Sequence, residues 1–223
     1  MRPSKHLFDE TRTILFNAYI VHSLTDTLQG AYLSAQNYLD EAKSIAPERT
    51  INDPLYYLAQ AYIEPNIDKA LLLFQQASEK DSSFQIAQYD LAFWTEMKFR
   101  VNNEINHNRA RIALEEYDKV LRINPGNIAA LAAQGYIYWL LRDQDKARRK
   151  FEEGCELKTM VSETFIGQLL YGRARILVEQ GRINESYDLF SQAFASNPNI
   201  GAFTIGDNSW FHYSFYEFMT QGL

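Results

Sequence analysis

The sequence predicts an all-α protein assembled from about five helix–turn–helix units, with one further helix at the C-terminus. Three observations carry this. Small residues recur in successive second helices, Ala35, Ala70, Ala113, Ala147 and Ser186, at spacings of 35, 43, 34 and 39 residues. Four residues after each stands a large apolar side chain: Leu39, Phe74, Tyr117, Phe151 and Phe190. About twelve residues before each, in the first helix, comes another small residue, except that in the third unit, which carries extra residues at its turn, the gap is 21: Ser23, Ala59, Ala92, Gly135 and Ala174. Small residues where two helices approach, with one large side chain filling the groove beside them, are what close helix packing requires. One such unit cannot bury its own apolar face, so neighbours must stack on it.

The units follow in order as residues 8–47, 53–82, 84–125, 127–159 and 162–198. In the first, the leading helix covers about 8–26 and the second helix 30–45. The second opens on Asp53 as N-cap with Pro54 at the first helical position, and Glu64-Pro65-Asn66 breaks its two helices apart. The third carries about nine extra residues at its internal turn, within FRVNNEINHNRA, which either form a loop or extend both helices into a projecting hairpin. The fourth turns at Arg142-Asp143-Gln144-Asp145. The fifth starts after the N-cap candidate Ser162, with Glu163 behind it. Pro47, Pro125 and Pro198 close three of the units. Residues 199–223 then form a glycine-bearing connector and an aromatic helix, capped by Asp207 or Asn208. Its rings cover most of its circumference. One side is expected to pack on the fifth unit, and Trp210, Phe211, Phe215 and Phe218 to form a terminal interface for a second copy, as a homodimer, or for a further domain.

Composition bounds the partners. The 223 residues are 46% hydrophobic and 22% charged, as in a globular protein. A net charge of -6 argues against a nucleic-acid backbone or an anionic membrane surface. The single cysteine, Cys155, rules out an intrachain disulfide and any multi-cysteine zinc site. The N-terminal apolar run is preceded by Asp9 and Glu10 and interrupted by Asn17, a poor signal peptide and too short to span a membrane. The expected setting is cytoplasmic.

The stretch 127–157 resembles a tetratricopeptide repeat, matching its pattern at Leu131, Gly135, Tyr138, Ala147 and Phe151. It departs at Gln134, where the repeat prefers leucine, and at Thr159, where it closes on proline. In the first unit His22 and Asp26 stand where leucine and tyrosine are preferred. Near the C-terminus Trp210 and Ser214 take the leading aromatic and small-residue positions of a sixth repeat. The resemblance implies a right-handed α-solenoid whose first helices line a concave groove that holds a partner. Groove positions then fall on Tyr56, Gln60, Tyr89, Phe93, Ala132, Tyr136, Trp139, Tyr171 and Arg175, some of whose aromatics are also expected to serve as core. Tyrosine supplies rigid amphipathic surface of the kind peptide-binding surfaces use. Family members that clamp a C-terminal carboxylate use Lys and Asn in this groove; only Arg175 could do so by charge here, and that clamp is not expected. An asparagine ladder is not expected either, since its places hold Val21, Tyr57, Asp90, Ala133 and Gly172.

No catalytic motif stands out. His6, His22, His107 and His212 are scattered, without metal-ligand spacing, and Cys155 lies among packing positions, as an inert thiol would. Asn184-Glu185-Ser186 fits a glycosylation acceptor but sits at a helix start. The basic run Arg142, Lys146, Arg148, Arg149 and Lys150 is diluted by Asp143, Asp145, Glu152 and Glu153, as on a solvated helix face. The expectation is therefore a non-enzymatic scaffold or adaptor without cofactor or metal, binding a protein or peptide segment in an aromatic groove, with neither nucleic acid nor membrane as partner. The alternative is the sensor or docking region of a longer enzyme or signalling effector. Stacking on a nucleobase or sugar is a third, weaker reading.

Overall fold

The computed structural model describes residues 5–97, 100–101, 104–157 and 163–196. Among these lie eleven helices: α1 (Lys5–Leu28), α2 (Tyr32–Ile45), the single turn α3 (Pro47–Thr50), α4 (Pro54–Ile63), α5 (Ile67–Lys80), α6 (Gln85–Met97), α7 (His107–Ile123), α8 (Ile128–Leu140), α9 (Gln144–Glu156), α10 (Glu163–Glu179) and α11 (Ile183–Ser196). The chain divides into two compact units, residues 1–94 and 95–223. In the first, α1 packs on α2 and α4 on α5; in the second, α8 packs on α9 and α10 on α11.

The register read from the sequence holds. Ala35, Ala70, Ala113, Ala147 and Ser186 are all buried, as are Leu39, Phe74, Tyr117 and Phe151; Phe190 is half-buried. The small residues of the first helices, Ser23, Ala59, Ala92, Gly135 and Ala174, are buried too. Each fully buried ring or leucine at these places contributes roughly 1.5–3 kcal/mol. Gln134, the polar departure from the repeat pattern, is fully buried, and its amide donates to Asp118 Oδ1 at 2.7 Å, so α8 is tied to α7 by a hydrogen bond rather than a leucine contact. In the same unit Tyr117 Oη donates to Glu96 Oε2 at 2.7 Å, which partners a buried carboxylate.

Short polar residues start the helices. Asp53 accepts from Tyr56 N at 3.1 Å with Pro54 at the first position, Asn66 from Asp68 N and Lys69 N, Asn106 from Arg109 N, Asn127 from Ala130 N and Asp143 from Lys146 N. Each satisfies N–H groups that the helix itself cannot. Three turns share one geometry. Gly30, Arg142 and Gly181 have φ of 76, 64 and 75°. In each turn the following residue donates back five positions: Ala31 to Asp26, Asp143 to Tyr138 and Arg182 to Leu177. The left-handed residue itself donates back three, to Thr27, Trp139 and Val178. These are Schellman turns, in which glycine is favoured because a Cβ is strained there; the middle one uses arginine.

At the end of α2, Arg12 reaches across from α1. Its Nε and Nη2 donate to the Ile45 carbonyl at 2.9 and 2.7 Å, and Nη2 pairs with Glu48 at 2.9 Å. A cation at a helix C-terminus satisfies the exposed carbonyl end of the dipole. His22 stacks on Tyr38, with centroids 5.1 Å apart, which gives the polar departure in the first repeat a packing role.

The insertion corrects the expectation of a loop or of extended helices. Arg100–Val101 pairs antiparallel with Glu104–Ile105, in the register Arg100↔Ile105 and Val101↔Glu104. The local alternation has period two and places β-branched Val101 and Ile105 in the strands, which suits extended backbone better than a helix. The residues between the strands, Asn102 and Asn103, lie outside the described set, as do Thr159, Ser162, Pro198 and the whole of 199–223 with Trp210, Phe211, Phe215 and Phe218.

Candidate functional site

The second unit positions its surface through one ring. Phe151 of α9 lies between Gly135 of α8 and Gly172 of α10; a Cβ on either glycine would come within 2.6 and 2.5 Å of the ring. Gly154 of α9 likewise makes room for Leu169 of α10, whose methyl carbons would lie 2.7 and 2.8 Å from an added Cβ. Three glycines thus bring α10 close onto α8 and α9. That approach sets Arg175 and Glu179 beside the far end of α8.

There Tyr136 and Trp139 stack, centroids 6.0 Å apart and planes at 26°. The Arg175 guanidinium carbon lies 5.4 Å from the centroid of the Trp139 ring, within cation–π range. Trp139 Nε1 donates to Glu179 Oε1 at 2.8 Å, and Gln144 Nε2 donates to Glu179 Oε2 at 2.7 Å. Tyr136, Trp139 and Arg175 are half-buried. One turn before Arg175 on α10, Tyr171 meets the rings of Phe190 and Phe194 edge-on, at 5.3 and 6.3 Å. Three of the groove positions read from the sequence of this unit therefore converge on one platform, and Tyr171 adjoins it on the same helical face.

In the first unit the equivalent positions sit deeper. Tyr56 packs against Phe16, centroids 6.1 Å apart, and is 5% exposed; Tyr89 and Phe93 are 7 and 6% exposed. Gln60 is half-buried. The core share expected of these aromatics falls here. Glu179 and Gln144 were not read from the sequence as site residues. The available signal was the four-residue step from Arg175 to Glu179, which keeps the same helical face. Gly172 and Gly154 carried no signal, since nothing in a single repeat names what the next helix presses on them.

The remaining candidates are bound into ordinary surface or core. Lys146 pairs with Asp143 at 2.8 Å, Arg148 with Glu152 at 3.0 Å and Lys150 with Glu153 at 3.2 Å, and Lys146 also lies 5.3 Å from the Tyr138 ring centroid. The bond to Lys146 holds the Asp143 carboxyl below the usual range. This is a face of neutralised helical pairs. Burial pushes the Cys155 thiol up, with Arg173 beside it pulling weakly the other way, so the thiolate is disfavoured. Ser186 of the glycosylation-like triplet is buried and donates to the Ile183 carbonyl at 2.7 Å. Among the described residues, no group of three His, Cys, Asp or Glu side chains could hold a metal ion, and no helix is long and apolar enough to cross a membrane. The platform can offer aromatic surface, one cation and one anion.

No protein-family model matches the chain, and no curated protein does. Solved structures do. The chain is similar to the crystal structure of MamA protein, at 14% identity and a TM-score of 0.59, over 86% of this chain and 97% of that one. It is similar to Pseudomonas aeruginosa pilF, at 17% identity and a TM-score of 0.64, over 82% of this chain and 78% of that one. A third likeness is to TTC0263, a thermophilic tetratricopeptide-repeat protein of Thermus thermophilus, at 16% identity and a TM-score of 0.59, covering 83 and 93% of the two chains. At such identities the likeness speaks for architecture, and it agrees with the buried small-residue anchors and the shared turns: the chain has the fold of paired helices seen in these tetratricopeptide-type structures.

Proposed function

We propose that the chain is a protein-interaction scaffold, an adaptor that holds a segment of a partner protein against the platform of Tyr136, Trp139, Tyr171 and Arg175. The observation that carries this is that the platform is half-open yet already oriented. Trp139 is fixed on one edge by Glu179 and on one face by Arg175, and Glu179 is itself fixed by Gln144. Rings set in place before a ligand arrives lose little further freedom on binding, which leaves more of the contact energy as affinity. A guanidinium lying over a ring can still turn an N–H edge to an acceptor, so the surface suits a segment bringing a carbonyl or carboxylate beside an apolar side chain. The fold supports this reading by analogy only, because helical-repeat surfaces host many partners.

The test is selection of a displayed random-peptide library on the intact chain, followed by titration of the enriched peptides. Tyr136→Ala/Trp139→Ala is expected to weaken binding by roughly 30-fold or more, the loss of a buried aromatic anchor, whereas Arg148→Ala/Lys150→Ala changes it less than about threefold. The reverse ranking, with affinity falling steeply as salt is raised, would move the site to the basic face of α9.

A further inference from the structure

Helix α1 is apolar on two opposite sides. One side carries Phe16, Ile20 and Leu24, buried in the cluster that α2 and α4 complete. The other faces solvent, and there Ile14, Val21 and Leu28 are exposed, Ile14 by 67%. Between Arg12 and Asp26 the helix holds no Asp, Glu, Lys or Arg. The solvent side of a surface helix is normally where charges collect, and a helix apolar all round is normally covered all round.

The exposed side has a definite period. Thr11, Ile14, Ala18, Val21, Thr25 and Leu28 are all exposed and follow at steps of 3, 4, 3, 4 and 3 residues, the seven-residue repeat by which one helix winds along another. The large residues Ile14, Val21 and Leu28 fill one position of that repeat, and the small residues Thr11, Ala18 and Thr25 fill the other. This division decides the occupant and its direction. Two copies of α1 side by side in parallel would set large on large and small on small, leaving layers alternately overfilled and empty. An antiparallel copy, turned about a two-fold axis between Tyr19 and Ile20, sets each large residue against a small one. Leu28 then meets Thr11, Ile14 meets Thr25 and Val21 meets Ala18, and symmetry repeats all three contacts. Every layer pairs one large side chain with one small, and a two-fold interface requires such a self-match. Thr25 Oγ1 donates to the Val21 carbonyl at 2.9 Å, so the hydroxyl proton needs no partner across the seam.

We propose that the exposed side of α1 is the interface of a homodimer, in which two copies of this helix pair antiparallel along the stripe from Thr11 to Leu28. The occupant is a second copy of this chain. Residues 11–28 span about 27 Å of helix, and Phe8 and Leu15, both exposed, border the stripe. A contact of that length falls at the small end of specific interfaces, about 1,200 Å² in total. The dimer therefore forms reversibly, with a dissociation constant on the order of micromolar, rather than as an obligate pair.

The experiment uses the full chain. Analytical ultracentrifugation from about 1 to 100 µM, the range that affinity sets, is expected to show monomer passing to dimer. Val21→Asp places a carboxylate in two layers of the seam and is expected to hold the chain monomeric throughout. Its helical circular dichroism should stay unchanged, because Val21 is exposed in the single chain. Direction is read by cross-linking in a Cys155→Ser background. Chains carrying Ala18→Cys, mixed with chains carrying Val21→Cys, are expected to form the mixed disulfide under mild oxidation about tenfold more than either variant alone forms its own, since only the mixed pair faces across the seam. A monomer over the whole range, a dimer that Val21→Asp leaves intact, or cross-linking as strong within each variant as in the mixture would overturn the proposal. The first outcome would give this side of α1 to a different partner, the second would move the dimer contact elsewhere, and the third would make the pair parallel.

Discussion

Phe74 in the first unit and Phe151 in the second occupy the same place in their repeats, and their surroundings are opposite in kind. Phe74 is boxed by other rings, with Tyr62 edge-on at 5.4 Å and Trp94 stacked at 6.3 Å. Phe151 is held between two glycines. The difference traces to one position in the following helix. In the second unit it is Gly172, which yields its space to the ring. In the first it is Asp90, buried, with the Tyr62 hydroxyl donating to its carboxyl. Burial pushes the Asp90 carboxyl up to about 7, against the pull of that hydrogen bond, and pushes Tyr62 well above the usual tyrosine range. One contact between successive repeats is therefore made sterically and the other by a polar pair that titrates. The same repeat position can be filled by different physics, provided its volume is kept.

The largest expected effect follows from the titrating side of this comparison. The fold prefers the protonated Asp90, so its contribution to stability is complete below the ordinary carboxylate range near 4 and is lost as pH rises through about 7. Urea unfolding of the native chain should show this as a decline on the order of 3 kcal/mol between those limits. Asp90→Asn, uncharged throughout, should flatten the decline; parallel pH profiles for the two would remove Asp90 from the account. Next comes the steric side. Gly135→Leu and Gly172→Leu each drive a side chain into the Phe151 ring and should cost roughly 1–3 kcal/mol or more, whereas Arg149→Leu, exposed on α9, should change thermal stability little. Equal losses at all three would show that the glycines are not the close contacts. The smallest effect concerns the turns. Arg142→Gly relieves a left-handed arginine and should raise stability by about 1 kcal/mol, seen as a higher melting temperature, and Gly181→Arg should lower it by a similar amount. A neutral Arg142→Gly would mean that the Arg142 side chain offsets its own backbone strain.

What was legible in the sequence, and what was not, divides along the same line. The small-residue anchors, their large partners and the cap at Asp53 could be read because each is decided within one repeat. The pairs that join successive repeats could not: Tyr62 with Asp90, Gln134 with Asp118, Phe151 with Gly172. The two residues of each pair are 16 to 28 positions apart, and a repeat pattern names positions without naming what the next helix brings to them. The groove residues show the limit most clearly. Phe93 and Tyr136 occupy equivalent places, yet the first is buried and the second half-open, because exposure depends on the neighbours that close over the position.

Phe151 also bears on how the second unit would come apart. Its ring belongs to α9 by sequence but is enclosed by α10 as much as by α8. Separating α10 and α11 therefore uncovers a ring of the pair before them, and that pair loses stability at the moment they leave. In a one-dimensional array this is a nearest-neighbour coupling free energy concentrated in one side chain. A ring so placed couples the two pairs and lengthens the stretch that melts as a single cooperative block.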